Sequence, residues 1–274
     1  MANLPLGVAL SGGTAKSVAH VGVLKALALA GIPISYITGT SGGSMVAAMY
    51  ASGMPVSSLE SVATTMSWRK LVTIRLTRLG FISSQRIEEF VEDLIGPLTF
   101  ADLKVPCAIP ATNLVTGERR LFREGSVARA VRASCSIPQI YLPVEIDGEY
   151  YVDGGLSEYL PIDALRELGC AFTVGSNLAP VDLRYRRPHH ILHLVVQVTG
   201  LMARMNSVAS VGRADVVVHT NLDEFSSFDF DHSERMIELA YDTTMRGLDD
   251  LRASWNRKSG FWGRLAGRIR GGVP

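Results

Sequence analysis

The first 53 residues constrain the fold more than any other part of the chain. Residues 6–10 (LGVAL) form a short apolar run that ends in Ser11-Gly12-Gly13. Residues 17–30 then carry apolar side chains at helical spacing: Val18, Val21, Leu24 and Leu27. Gly31 caps that helix and Pro33 forbids its continuation. The pattern repeats at once, with an apolar run at 34–37, the sequence Gly39-Thr40-Ser41-Gly42-Gly43, and a helix over 44–52 closed by Gly53. Two successive strand–loop–helix units predict parallel strands, because a helical crossover returns the chain in its original direction.

The remaining chain continues in kind. Helical patterns fall at 57–66, 85–95, 126–134 and 162–168. Strand-like runs fall at 107–112, 120–122, 144–152, 171–175 and 214–219, and a long helix over 233–255 is predicted to close the domain. The expected class is α/β, with a mostly parallel central sheet flanked by helices in three layers. With 47% hydrophobic residues in 274, one sizeable core is affordable. No repeat or linker-like composition divides the chain, so residues 1–256 read as one domain followed by a basic tail over 257–274.

Charge and cysteine usage exclude several classes. A formal net charge of +1 gives no general pull on nucleic acid. Cys107, Cys135 and Cys170 make no CxxC pair and no disulfide framework, which fits a reducing cytosol. The N-terminal apolar run is too short for a signal peptide and has no positive flank. No apolar stretch approaches the roughly 18 residues that suggest a membrane span. The expected location is therefore the cytoplasm, with peripheral membrane contact through the tail. Oligomeric state is not legible.

A G-x-S-x-G turn between strand and helix is the pattern of a nucleophile elbow. Gly39 and Gly43 suit it because a Cβ at either position would crowd a strained serine. The pentapeptide by itself leaves three roles open for Ser41: a plain turn, a phosphate cradle, or a nucleophile near the positive end of the following helix. The other glycine-rich loop, GGTAKS, is not a nucleotide-binding phosphate loop. That pattern requires glycine before the lysine and another five positions earlier; here Ala15 and Leu10 stand there.

A nucleophilic serine needs a base. Of the six histidines, His20 lies among apolar neighbours and reads as a core residue, and His189, His190 and His193 read as a polar helix start. His219 and His232 come late enough for a hydrolase triad, but neither has distinctive surroundings. Asp153, in YYVDGGLSEYLP, ends a strand directly before two glycines. It suits either an ordinary Asp-Gly turn or a carboxylate at the lip of the sheet.

Taken in order, LSGGTAKSVAHVGVLKAL, GTSGGSMVAAMYASG, ASCSIPQIYLPV, YVDGGLSEYLPI and FSSFDF with a following helix resemble the patatin-like phospholipases over most of the chain. The resemblance implies the patatin-like three-layer fold and a serine acyl hydrolase with a Ser-Asp dyad and no metal or cofactor. It assigns Ser41 as nucleophile and Asp153 as base, with the backbone N–H groups of Gly12, Gly13 and Thr14 as oxyanion donors. It implies an acyl ester or phospholipid as substrate. The loop departs from the family's Gly-Gly-Gly-x-Lys/Arg-Gly at Thr14 and Ser17, and Tyr159 stands where many members have asparagine. Thr14 is β-branched and resists a positive φ; Ser17 suits a helix cap; Lys16 suits either an anionic head group or solvent. The altered loop keeps open a second reading, an acyl-lipid-binding or regulatory protein with little turnover.

Residues 54–103 alternate basic and apolar groups around Trp68, as a cap over a lipid site does; an ordinary solvated helical insertion fits equally well. The tail carries Arg257, Lys258, Arg264, Arg268 and Arg270 with Phe261, Trp262, Leu265 and Ile269 near helical spacing. Aromatic residues among arginines favour an anionic membrane interface; the tail's glycines weaken helicity, and a disordered basic tail or a packing arm fits nearly as well.

Overall fold

The computed structural model describes residues 4–71, 73–74, 82–179 and 191–270. Strand β1 (Leu6–Leu10) shows how the molecule is sided. Alternate residues of a strand face opposite ways, so Leu6, Val8 and Leu10 join the main core. Ala9 faces a smaller core with Leu160, Ile162, Leu165 and Cys170.

From β1 the chain makes a 3₁₀ turn, Thr14–Ala19, into α1 (His20–Leu29), β2 (Tyr36–Gly39) and α2 (Gly42–Ala51). Helices α3 (Val56–Thr64) and α4 (Trp68–Leu71), the short pair β3 (Thr73–Ile74) and β4 (Ile82–Ser83), and α5 (Gln85–Ile95) form the insertion after it. Then come β5 (Cys107–Asn113), β6 (Arg119–Phe122), α6 (Val127–Ser134), β7 (Val144–Ile146) and β8 (Glu149–Val152). The last third holds α7 (Ile162–Glu167), β9 (Phe172–Asn177), α8 (Ile191–Val211), β10 (Val216–His219), α9 (Ser233–Arg246) and α10 (Leu248–Arg270).

The sheet order is β10-β9-β1-β2-β5-β8-β7, with β6 also pairing β5. The five strands from β10 to β5 are parallel, and β6, β8 and β7 extend the sheet antiparallel. α1, α2, α6 and α9 contribute to the main core, and α7 fills the smaller one. This is the expected three-layer α/β architecture.

Register brings distant chain segments to one level. Thr38 of β2 pairs with Ala108 of β5, which puts Thr40 beside Pro110. The Pro110 carbonyl is also what Gly154 rests against: a Cβ on Gly154 would lie 2.3 Å from that oxygen. The antiparallel β8 therefore delivers Asp153 to the same level as Ser41.

Three expectations are corrected. The helix expected from 17 begins instead as a 3₁₀ turn at Thr14. The run at 144–152 is a hairpin, β7 and β8, turning on Asp147 and Gly148 with φ of 54° and 81°; Asp-Gly was a legible turn signal. The helix over 233–255 is two helices divided at Gly247. The polar helix start read at the histidine cluster opens into the 21-residue α8, while His189 and His190 lie outside the described residues. α10 runs unbroken across the expected boundary at 256. Lys258 Nζ reaches Asp215 Oδ1 at 2.6 Å and Ser259 Oγ accepts the Leu4 N–H at 3.1 Å, so the first residues beyond that boundary are attached to the body.

Candidate active site

Ser41 occupies the turn from β2 into α2 with φ 51° and ψ −129°. A side chain held in this region stores about 1–3 kcal/mol of strain that its surroundings must impose. The flanking glycines make the turn possible by close approach. A Cβ on Gly39 would lie 2.2 Å from the Gly43 carbonyl oxygen, and one on Gly43 would lie 2.4 Å from the Ser11 carbonyl oxygen. Hydrogen bonds fix the turn from outside. The Ser41 N–H donates to Ser134 Oγ at 2.9 Å, Thr40 Oγ1 donates to the Glu158 carbonyl at 2.8 Å, and Thr38 Oγ1 donates to the Pro161 carbonyl at 3.0 Å. Ser134 is fully buried at the end of α6, so Ser134→Ala leaves the Ser41 N–H without its acceptor. The expected result is a loss of about 1–3 kcal/mol in a urea melt and a lower turnover rate; an unchanged midpoint would show that the turn does not depend on this bond.

Asp153 follows β8 and is 5% exposed. Ser41 Oγ donates to its Oδ2 at 2.6 Å, and the Gly155 N–H donates to its Oδ1 at 2.8 Å. Burial raises the carboxyl from 3.8 to about 6, against the two donors, which favour its ionised form. Both carboxylate oxygens are thus engaged and the hydroxyl proton points at one of them.

None of the described histidine side chains hydrogen-bonds to Ser41 or Asp153. His20 bonds to Ser176 Oγ at 2.7 Å and to the Ser11 carbonyl at 2.8 Å, and burial lowers its pKa to about 4. It is the core histidine that its apolar neighbours implied. His232 Nδ1 bonds to Asp229 at 2.7 Å, and the Nε2 of His219 is buried with no partner among the described residues. The side chain of His193 lies outside the described residues.

The loop after β1 reaches the same point from the other side. Its three expected donors differ. Gly12 donates its N–H to the Tyr159 carbonyl at 3.1 Å and is thereby committed to the fold. Gly13 and Thr14 line the recess in front of Ser41 and Asp153, and among the described residues their N–H groups have no acceptor. Thr14 adopts φ 53° despite its β-branch. Ser17 does not cap a helix: its Oγ is buried without a partner among the described residues, close to Gly13 and Gly42. Lys16 Nζ donates to the Leu222 carbonyl at 2.8 Å, and burial lowers its pKa. It is neither a freely solvated loop residue nor fully withdrawn, since it borders the recess. Tyr159 is buried, with its ring against Gly12.

Two hollows meet at Ser41. One has a volume of about 540 Å³ and is almost wholly apolar. Val21, Met49, Leu59, Ala63 and Ile87 are among the buried residues that line it. Trp68, Phe228 and Phe230 close one side, with ring centroids 5.0–5.1 Å apart and the Trp68 Nε1 donating to the Phe228 carbonyl at 2.7 Å. The insertion after α2 therefore covers the cavity, and the FSSFDF stretch walls it. Part of its basic stretch, at 72 and 75–81, lies outside the described residues. The second hollow, about 80 Å³, contains Gly13, Thr14, Asp153 and Tyr159, with Thr199, Gly200 and Met202 of α8 as its outer wall. Among the described residues no cluster of His, Cys, Asp or Glu forms a metal site. The arrangement suits attack by a hydroxyl on an acyl carbon whose chain lies in the large cavity and whose leaving group lies in the small one.

Sequence reasoning missed Ser134, Glu158 and the α8 wall. Glu158 receives Arg119 Nη1 at 2.7 Å and the Asp163 N–H at 2.9 Å. It holds the start of α7 while its carbonyl holds Thr40. Its position within the acidic–aromatic stretch LSEYLP gave the only local signal.

Comparison with known proteins gives a consistent picture. The family model described as Patatin-like phospholipase matches residues 8–166. An uncharacterised NTE family protein of Mycobacterium tuberculosis is 31% identical over 182 residues, covering 63% of this chain and 49% of its own. Lysophospholipase NTE1 of Candida albicans is 23% identical over 300 residues, covering 98% of this chain and 21% of its own. The chain thus spans about half the length of the first relative and a fifth of the second. Among solved structures, VipD from Legionella pneumophila superposes with a TM-score of 0.60 at 15% identity, over 90% of this chain and 67% of that one, a likeness of fold.

Proposed function

Because the chain belongs to the patatin-like phospholipase family, we propose that it is a serine acyl hydrolase acting on lipid esters through a Ser41–Asp153 dyad. The 2.6 Å hydrogen bond from Ser41 Oγ to Asp153 Oδ2, at the neck of an apolar cavity, carries this reading. As Ser41 Oγ attacks the ester carbonyl carbon, Asp153 takes its proton. The tetrahedral oxyanion accepts hydrogen bonds from the Gly13 and Thr14 N–H groups. When the intermediate collapses, Asp153 returns the proton to the departing alcohol, leaving an acyl-Ser41 ester. Water then attacks that ester with Asp153 again as base, releasing the acid and free Ser41.

The raised pKa of Asp153 favours this role, since a base of ordinary carboxylate strength draws weakly on a hydroxyl proton. Thr14 supports turnover over the low-turnover alternative, because it adopts a strained positive φ and its N–H has no acceptor among the described residues. Labelling with a fluorophosphonate probe followed by peptide mapping tests the proposal: modification at Ser41 is expected, and no modification there would favour a binding protein.

The shape of the large cavity supports a long acyl chain as the group transferred. Each buried CH₂ contributes about 0.8 kcal/mol, so a cavity shortened by Ala63→Phe should lose long-chain substrates selectively. The expected result is a kcat/KM for long-chain esters reduced roughly 10-fold or more, with short-chain esters little changed. Equal losses at every chain length would place the acyl group elsewhere.

The name lysophospholipase borne by the Candida relative supports a phospholipid among the substrates. The basic segment from 257 to 270 is proposed to add contact with anionic lipid. The side chains of 262–270 lie outside the described residues, and Lys258 is already paired with Asp215. Salt sensitivity of vesicle binding is the measure of that contact.

A further inference from the structure

Helix α8 turns an apolar stripe outward and several polar side chains inward. A surface helix ordinarily buries its apolar stripe and exposes its polar one. Here Ser207 and Ser210 are buried, and Asn206 Nδ2 donates inward to the Gly155 and Leu156 carbonyls at 3.0 and 2.8 Å. The outward stripe is Ile191, Leu194, Val198, Leu201, Met205 and Val208, alternately three and four residues apart along the 21-residue helix. These six are 41–74% exposed. Among the described residues, eight of the fourteen large apolar side chains that stand in solvent belong to this one helix. Monomeric proteins rarely leave so continuous an apolar patch uncovered.

We infer that the outward face of α8 is a membrane-docking surface, which seats the mouth of the Ser41–Asp153 recess on a lipid bilayer. Three observations select a bilayer over a second protein chain. Residues 191–211 contain no acidic side chain and a single arginine, Arg204, so nothing on the helix opposes approach to a lipid head-group layer. The helix also lacks the flanking charge pairs that fix register between paired helices. Finally, α8 is continuous with the site: Thr199, Gly200 and Met202 wall the small recess, and Asn206 holds the loop directly after Asp153. A protein covering the stripe would crowd that mouth, whereas a bilayer against it presents an ester bond at the mouth. Among the described residues no helix is long and apolar enough to cross a membrane, so α8 lies on the surface as an interfacial helix does. The inference rests on the reading of the chain as a lipid hydrolase.

The test uses the full chain and vesicles of phosphatidylcholine, with and without phosphatidylglycerol. The triple substitution Ile191→Gln, Met205→Gln and Val208→Gln removes three of the most exposed apolar groups while keeping good helix formers. A control changes Leu29→Gln and Val115→Gln, which are equally exposed but lie elsewhere. The triple variant is expected to lose vesicle partitioning roughly 100-fold, and the control is expected to match the parent. All three proteins should share one thermal midpoint and one rate on a short soluble ester. Binding of the parent should persist at about 0.5 M salt, where surface charge is screened. The inference is overturned if the triple variant binds vesicles as the parent does, or if the parent is a dimer that the triple substitution dissociates. A parent that cleaves the soluble ester yet ignores vesicles overturns the docking surface alone. A parent that binds vesicles through α8 yet cleaves neither the soluble ester nor the vesicle lipid overturns the hydrolase reading and leaves the docking surface standing.

Discussion

Ser41→Ala and Asp153→Asn are each expected to lower kcat/KM for ester hydrolysis by about 10⁴-fold or more, because groups that act as one unit fail together. The double variant should be scarcely worse than either single one. Asp153 must be ionised to accept the Ser41 proton, and its pKa is raised to about 6. The rate in the free enzyme should therefore fall with unit slope as pH drops below about 6 and stay level above it. An ordinary carboxylate would hold the rate level to about pH 4. His219→Ala and His232→Ala should leave the rate near that of the parent, since neither histidine touches Ser41 Oγ. Steady-state assays on a chromogenic ester across pH 4–9 check all of this. If His219→Ala proved as damaging as Asp153→Asn with its thermal midpoint unchanged, a histidine triad would take the place of the dyad.

The same burial that tunes Asp153 should make it a liability for stability. Its folded pKa lies above the ordinary 3.8. Between the two values the folded chain keeps a proton that the unfolded chain has released, so stability falls as pH rises through that window. The penalty is absent below about pH 4 and fully present above about pH 6. A displacement of about two units corresponds to about 3 kcal/mol. Asparagine has nearly the same shape and no charge, and its amide group still offers an acceptor to the Gly155 N–H and a donor to Ser41 Oγ. Asp153→Asn is therefore expected to raise unfolding free energy at pH 7.5 by up to about 3 kcal/mol while abolishing hydrolysis. At pH 4 the two proteins should melt alike. Urea denaturation at both pH values measures this, and a variant less stable at pH 7.5 would show that the ionised carboxylate is stabilised by its donors more than burial penalises it.

Much of the candidate site was legible because its constraints are local. Gly39 and Gly43 stand where the chain passes within van der Waals reach of its own backbone, and that requirement is written in residue type. The apolar run of β1, the apolar spacing of α1 and the helical pattern of α5 follow from local residue pattern alone, and α5 was placed to the residue. Misreadings fell where a local signal was overlooked or overridden. Asp147-Gly148 marked a hairpin inside what read as one strand, and Gly247 divided what read as one helix. Thr14 goes against its own backbone preference because the loop is held at both ends, by Gly12 on Tyr159 and by Ala15 on the Ser227 carbonyl.

By itself, the sequence determined the strand–loop–helix repeat, the turn that lifts Ser41, and the carboxylate before two glycines. Each depends on backbone sterics and side-chain periodicity within a dozen residues. Only the tertiary structure decided that Ser41 and Asp153, 112 positions apart, share a hydrogen bond. That meeting follows from strand register across β5, which no short window contains. The tertiary structure likewise committed Gly12 to Tyr159, made the insertion after α2 the cover of an apolar cavity, and turned the oily side of α8 outward. The physical reason is common to all three. Whether a donor is spent, a cavity is dry or an apolar stripe is exposed depends on what lies opposite, and desolvation is a property of the assembled neighbourhood.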